Sequence, residues 1–142
     1  MDREKLAENL IAIFPILHKK LFKNMPELKI SKQQIALLFH INYENGRPMR
    51  YYGEKLTISK PNLTPLVDKL IKDGLIERKE NPDDRREIIL SITKEGKDTL
   101  DEHKELMKKI VLEKLAFLDK DDLSELDNSL NTIINIFHKL ES

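Results

Sequence analysis

The spacing of apolar residues changes along the chain, and the changes lay out its elements. From Asp2 to Asn24, Leu6, Leu10, Phe14, Leu17 and Leu21 recur at steps of three and four, one face of a helix that Ile11, Ile13, Ile16 and Phe22 widen. Pro15 lies inside this pattern and predicts a kink there. Ser31 followed by Gln34 has the form of a capping box, so a second helix is predicted from about Lys32 to Tyr43, ended by Glu44-Asn45-Gly46. Arg47-Pro48-Met49 reads as a short extended link. A third helix fits Arg50 to Leu56, with Gly53 marking close approach by another helix. After a tight turn at Thr57-Ile58, Ser59 is a natural N-cap. The fourth helix then runs from Lys60 to about Lys72, with Leu63, Leu66, Val67 and Leu70 on one face and a stop at Asp73-Gly74.

Beyond Gly74 the period shortens. Leu75–Glu80 and Glu87–Ile92 read as strands, the second rich in β-branched residues, and Asn81–Arg86 as a polar hairpin tip. Thr93 opens a long helix from Lys94 towards Phe117. Asp119 and Asp122 cap a last one carrying Leu123, Leu126, Leu130, Ile133, Phe137 and Leu140, the spacing of a packed seam. The predicted fold is mainly α with a small β-hairpin: a winged helix-turn-helix at 30–93, flanked by helices at 1–29 and 94–142, all in one domain. The apolar faces at both ends, among them Leu6, Leu10, Leu17, Leu126, Leu130, Ile133 and Phe137, need more cover than one chain supplies. A homodimer would bury both.

Composition narrows the chemistry. The 142 residues hold 25 Lys and Arg against 25 Asp and Glu, so bulk charge names no partner. Locally, Arg47 to Arg86 holds ten basic and seven acidic side chains, net +3, while Asp119 to Ser142 holds two and six, net −4. With no cysteine, disulfides, thiolate metal sites and a nucleophilic thiol are excluded. The start Met1-Asp2-Arg3-Glu4-Lys5 lacks the form of a signal peptide, and charges interrupt every apolar run, so a cytoplasmic protein without a membrane partner is expected. No HExxH, phosphate-cradling glycine loop or nucleophile elbow occurs, and neither catalysis nor a cofactor is expected. His18, His40, His103 and His138 are scattered, which argues against a metal site.

Two short helices, a tight turn and a charged hairpin form a device for duplex DNA. A helix fits the major groove, and a cation on the hairpin can enter the minor groove alongside. On the fourth helix Ser59, Lys60, Asn62, Thr64 and Lys69 are the candidate contacts. Arg85 and Arg86 are those of the wing, while Arg50 and Tyr51 stand where they can touch phosphates.

These residues carry a resemblance. Leu56 to Leu70, followed by Asp73-Gly74-Leu75-Ile76-Glu77-Arg78, closely resembles the multiple-antibiotic-resistance regulator (MarR) family. Asp84-Arg85-Arg86, five further residues and Ile92-Thr93 match that family's Asp-x-Arg-x5-Leu-Thr wing signature with Ile for Leu, and Glu95-Gly96 follows. The resemblance implies a homodimeric, sequence-specific transcriptional regulator whose terminal helices interlock. Arg86 would be the minor-groove arginine, Asp84 the wing's brace and the fourth helix the major-groove reader. It further implies a repressor of a near-palindromic operator, released by a small apolar or anionic effector whose site the sequence does not identify. Pro65, where many relatives carry a polar or basic residue, departs from the pattern. The alternatives are a winged helix that docks a partner protein and a metal-responsive regulator.

Overall fold

The computed structural model describes residues 1–26 and 29–140. Six helices and three strands follow in the order α1 (Arg3–Leu17), α2 (Lys32–Tyr43), β1 (Arg47–Pro48), α3 (Met49–Leu56), α4 (Lys60–Lys72), β2 (Ile76–Asn81), β3 (Asp84–Ile92), α5 (Lys94–Leu115) and α6 (Lys120–Phe137). They divide into two compact units, Pro26–Glu105 and Met1–Met25 with Leu106–Ser142.

The unit Pro26–Glu105 is a winged-helix lobe with its own core. Leu37, Leu38 and Ile41 of α2, Tyr52 of α3, Leu63, Val67 and Leu70 of α4, Ile76 of β2 and Leu90 of β3 are buried together. The capping box at Ser31 is present: the Gln34 amide donates to Ser31 Oγ at 3.1 Å, and the Ser31 amide donates to Gln34 Oε1 at 2.9 Å. That exchange satisfies the buried Gln34 side chain as it starts the helix. Gly53 lies where an added Cβ would stand 2.9 Å from Leu63 Cδ2, so α3 and α4 touch there as expected. Thr57 takes a left-handed conformation, φ 54°, to make the turn between these helices. Helix α4 ends in a Schellman motif: Leu75 N–H donates to the Leu70 carbonyl and Gly74, at φ 74°, to that of Ile71.

Two expectations change here. Arg47-Pro48 is extended as expected but is also a paired strand: it runs antiparallel to Leu90 and Ile89, giving a three-stranded sheet in the order β1-β3-β2. Proline suits an edge position, where its missing donor is not called upon. The hairpin turn is also tighter than expected. Asn81 pairs with Asp84 after a register shift at Glu80/Asn81, so Arg85 and Arg86 sit on β3 rather than at the tip. The other edge, β2, exposes Glu77, Arg78, Lys79 and Glu80 in succession. At the base of the hairpin the Thr93 hydroxyl donates to the Gly74 carbonyl at 2.7 Å and accepts from Gly96 N–H at 3.0 Å, fastening the end of α4 to the start of α5.

In the other unit, α1 runs unbroken through Pro15 and then widens into a π-helical turn, His18–Phe22. The departure from α geometry therefore comes three residues after the proline, where a kink was expected at it. Asp119 caps α6 by accepting from Asp122 N–H at 2.8 Å, whereas Asp122 supplies only the amide; Leu140 lies beyond the helix end. Neither α1 nor α6 contains a buried residue.

Candidate nucleic-acid interface

Helix α4, the turn before it, α3 and the wing strand β3 enclose a cleft of about 980 Å³. Its floor is apolar, with Met49, Ile58, Leu63 and Ile88, and its rim carries Arg50, Lys60, Arg86 and Glu87. Five of the residues singled out in the sequence, Arg50, Ser59, Lys60, Asp84 and Arg86, thus border one opening although they span 37 positions of chain.

Each is placed by local chemistry. Ser59 holds the extended N-cap geometry, φ −66° and ψ 152°, but its hydroxyl makes no cap bond. Its carbonyl instead accepts from Asn62 and Leu63 N–H at 3.0 and 2.9 Å. The start of α4, with the positive end of its dipole and no acid in its first turn, faces outward and favours an anion such as phosphate. Lys60 and Asn62 are exposed, and among the described residues neither side chain has a hydrogen-bond partner. The Thr64 hydroxyl turns back to donate to the Lys60 carbonyl at 3.0 Å. Lys69, further along, pairs with Asp73 at 3.2 Å.

On the wing, Asp84 Oδ1 accepts from both the backbone N–H and Nε of Arg86, at 3.0 and 3.2 Å. This holds the arginine's stem while the side chain remains 92% exposed, so the guanidinium edge stays presented to solvent. An ion pair so exposed adds little stability; its effect is on direction. Arg85 is exposed beside it.

Glu87 is a residue that sequence reasoning missed. Its two oxygens bridge Arg50 of α3, at 3.2 Å, and Asn81 Nδ2 at the wing turn, at 2.9 Å, tying the hairpin to the helix-turn-helix. Only the pairing of segments 37 residues apart reveals it. Arg50 is accordingly already partnered, though 76% exposed.

Tyr51 is turned elsewhere. It hydrogen-bonds Glu44, and Arg47 and Lys55 lie over its ring at 5.3 and 5.5 Å. The Glu44 bond, followed by desolvation and the carboxylate's charge, raises the phenol's pKa above its ordinary value. Tyr52 is core: burial raises its pKa, while its hydroxyl donates to the Glu44 carbonyl and accepts from Arg47 N–H.

Among the described residues no three His, Asp or Glu side chains come together as a metal site, and His103 Nδ1 is buried without a partner. No described helix is long and apolar enough to cross a membrane.

Residues 30–88 match the model of the MarR family. The HTH-type transcriptional regulator YhbI of Bacillus subtilis (strain 168) is 28% identical over 69% of this chain and 64% of its own length. The organic hydroperoxide resistance transcriptional regulator of the same organism is 27% identical over 97% of this chain and 95% of its own. In structure, the transcriptional regulator Tm0710 from Thermotoga maritima superposes with a TM-score of 0.76 over 96% of each chain, at 22% identity.

Proposed function

We propose that this chain is a MarR-family DNA-binding regulator, a cytoplasmic homodimeric repressor of a near-palindromic operator. The observation that carries the reading is the shared cleft: Lys60 at the start of α4 and Arg86 on the wing border one opening, with Asn62 free on the adjoining turn. Helix α4 enters the major groove, and Lys60, Asn62 and Thr64 lie against bases or phosphates. Arg86, aimed by Asp84, reaches the neighbouring minor groove, with Arg85 on the backbone beside it. Ser59, Arg50 and Lys69 lie within reach of phosphates, the last two by exchanging an acid partner for the backbone. Tyr51, engaged with Glu44, supports Arg47 and Lys55 rather than touching DNA itself.

The apolar faces of α1 and α6, including Leu6, Leu10, Leu17, Leu126, Leu130, Ile133 and Phe137, are exposed in the single chain and form the dimer contact. Two recognition helices then meet half-sites about 10 bp apart. A small apolar or anionic effector releases the operator by favouring a dimer with the wrong helix spacing. One relative is named for organic hydroperoxide resistance. These 142 residues hold no cysteine, so a peroxide response here would not run through a thiol.

Gel-shift titration of the full chain against fragments of its source genome at two salt concentrations tests the reading. Selective binding that weakens steeply with salt is expected, with Arg86→Ala lowering selective affinity by about tenfold. Binding indifferent to both sequence and salt would reject it.

A further inference from the structure

Helix α4 has two opposed stripes. Leu63, Leu66, Val67 and Leu70 face the lobe's interior. Pro61, Thr64, Pro65 and Asp68 repeat the same spacing two residues earlier, a turn of about 200°, and all four are exposed. This second stripe is the part of α4 that points directly away from the core, hence the part that meets the groove floor when the helix lies in DNA.

Its chemistry is unusual for a surface facing bases. Neither proline ring has a donor or acceptor. Thr64 spends its hydroxyl proton on the Lys60 carbonyl, so towards a base it offers its methyl group and an acceptor oxygen but no donor. No arginine occurs between Lys60 and Lys72, so the helix has no side chain of the type that grips guanine through two hydrogen bonds most readily. Pro61 alone would be unremarkable in a first turn. Pro65 is different: inside the helix it removes the bond to the Pro61 carbonyl, and its exposed ring adds nothing to the core. Asp68, at the far end of the stripe, is exposed and carries the charge that phosphates repel.

The only hydrocarbon on a base edge in the major groove is the C5-methyl group of thymine. A guanine pressed against this stripe would lose water from its N7 and O6 acceptors without gaining a donor. We propose that α4 reads thymine methyl groups through Pro61, Thr64 and Pro65, making Pro65 a specificity-determining residue. Asn62, on the flank, is the side chain matched to an adjoining adenine. The inference rests on the regulator reading above and deepens it.

Deoxyuridine differs from thymidine by that one methyl group, which makes the test direct. The full-length protein selects duplexes from a random library, and the best duplex is then remade with dU at each thymidine of the half-sites. Each contacted methyl is expected to be worth about fourfold in affinity, so a fully substituted site weakens by about tenfold or more. The doubly substituted Pro61→Ala/Pro65→Ala protein, whose changes favour the helix, is expected to show a thymidine-to-uridine affinity ratio close to one. A merely structural role for the prolines would not move that ratio. Selective binding by the unaltered protein with equal affinity for both duplexes, or an undiminished ratio in the variant, would overturn the proposal and leave the regulator reading standing. Failure to enrich any sequence would overturn both.

Discussion

The lobe and the helices α1 and α6 carry apolar stripes of similar strength, yet only the lobe covers its own. Leu37 and Leu38 on α2 are fully buried, while Leu130 on α6 is 47% exposed and Phe14 on α1 is 73% exposed. The lobe's stripes converge from three helices and two strands on one point. Among the described residues, α1 and α6 bury none of theirs. A periodic stripe specifies that a face will be covered, not by what. The difference separates a region whose stability is local from one whose order, on the proposed dimer, depends on a second surface.

Breaking that dependence should have the largest effect. Leu130→Asp combined with Ile133→Asp removes apolar burial at four positions of a symmetric dimer and is expected to weaken association at least ~1000-fold. Sedimentation equilibrium checks this, because the 16.7 kDa chain should run as a dimer before the change and a monomer after it. The lobe should keep its fold. Were the unaltered chain monomeric, the contrast between the two regions would need another origin.

The complementary attack is on the lobe. A Cβ at Gly96 would collide with the Leu75 carbonyl oxygen and stand 2.7 Å from Ile92 Cγ1, with backbone on one side. Gly96→Ala therefore forces α5 away from the end of α4 and is expected to cost on the order of 3 kcal/mol, read from the urea midpoint. The smallest effect sharpens the comparison within the lobe. Ser31→Ala removes a cap bond and should cost about 1 kcal/mol; Ser59→Ala removes none and should cost less than about 0.5 kcal/mol. Equal losses would mean that the outward-facing Ser59 serves the fold after all.

Legibility in the sequence follows range. The bounds of α2 and α4, the capping box, the glycine stop and the close approach at Gly53 each depend on residues a few positions apart, and they read correctly. The strand at Arg47-Pro48 did not, because two residues carry no alternation and the partners Leu90 and Ile89 lie more than forty positions on. The Glu87 bridge to Arg50, 37 positions away, escaped for the same reason; the Tyr51 bond to Glu44 spans only seven positions, but it joins the end of one helix to the next across the turn at Asn45-Gly46, which no periodic pattern specifies. The arginines' shift from turn to strand came from a register slip at Asn81, which no composition rule announces. Five of the candidate residues, Arg50, Ser59, Lys60, Asp84 and Arg86, border one cleft, while the pairings that hold them were not legible.

The exposed edge of the sheet carries a last consequence. A bare strand invites another chain to zip onto it, and the proposed dimer, with two wings on one duplex, would risk fusing them. Four successive charges on β2 and the proline on β1 guard the two margins of the sheet. They let copies crowd together without polymerising.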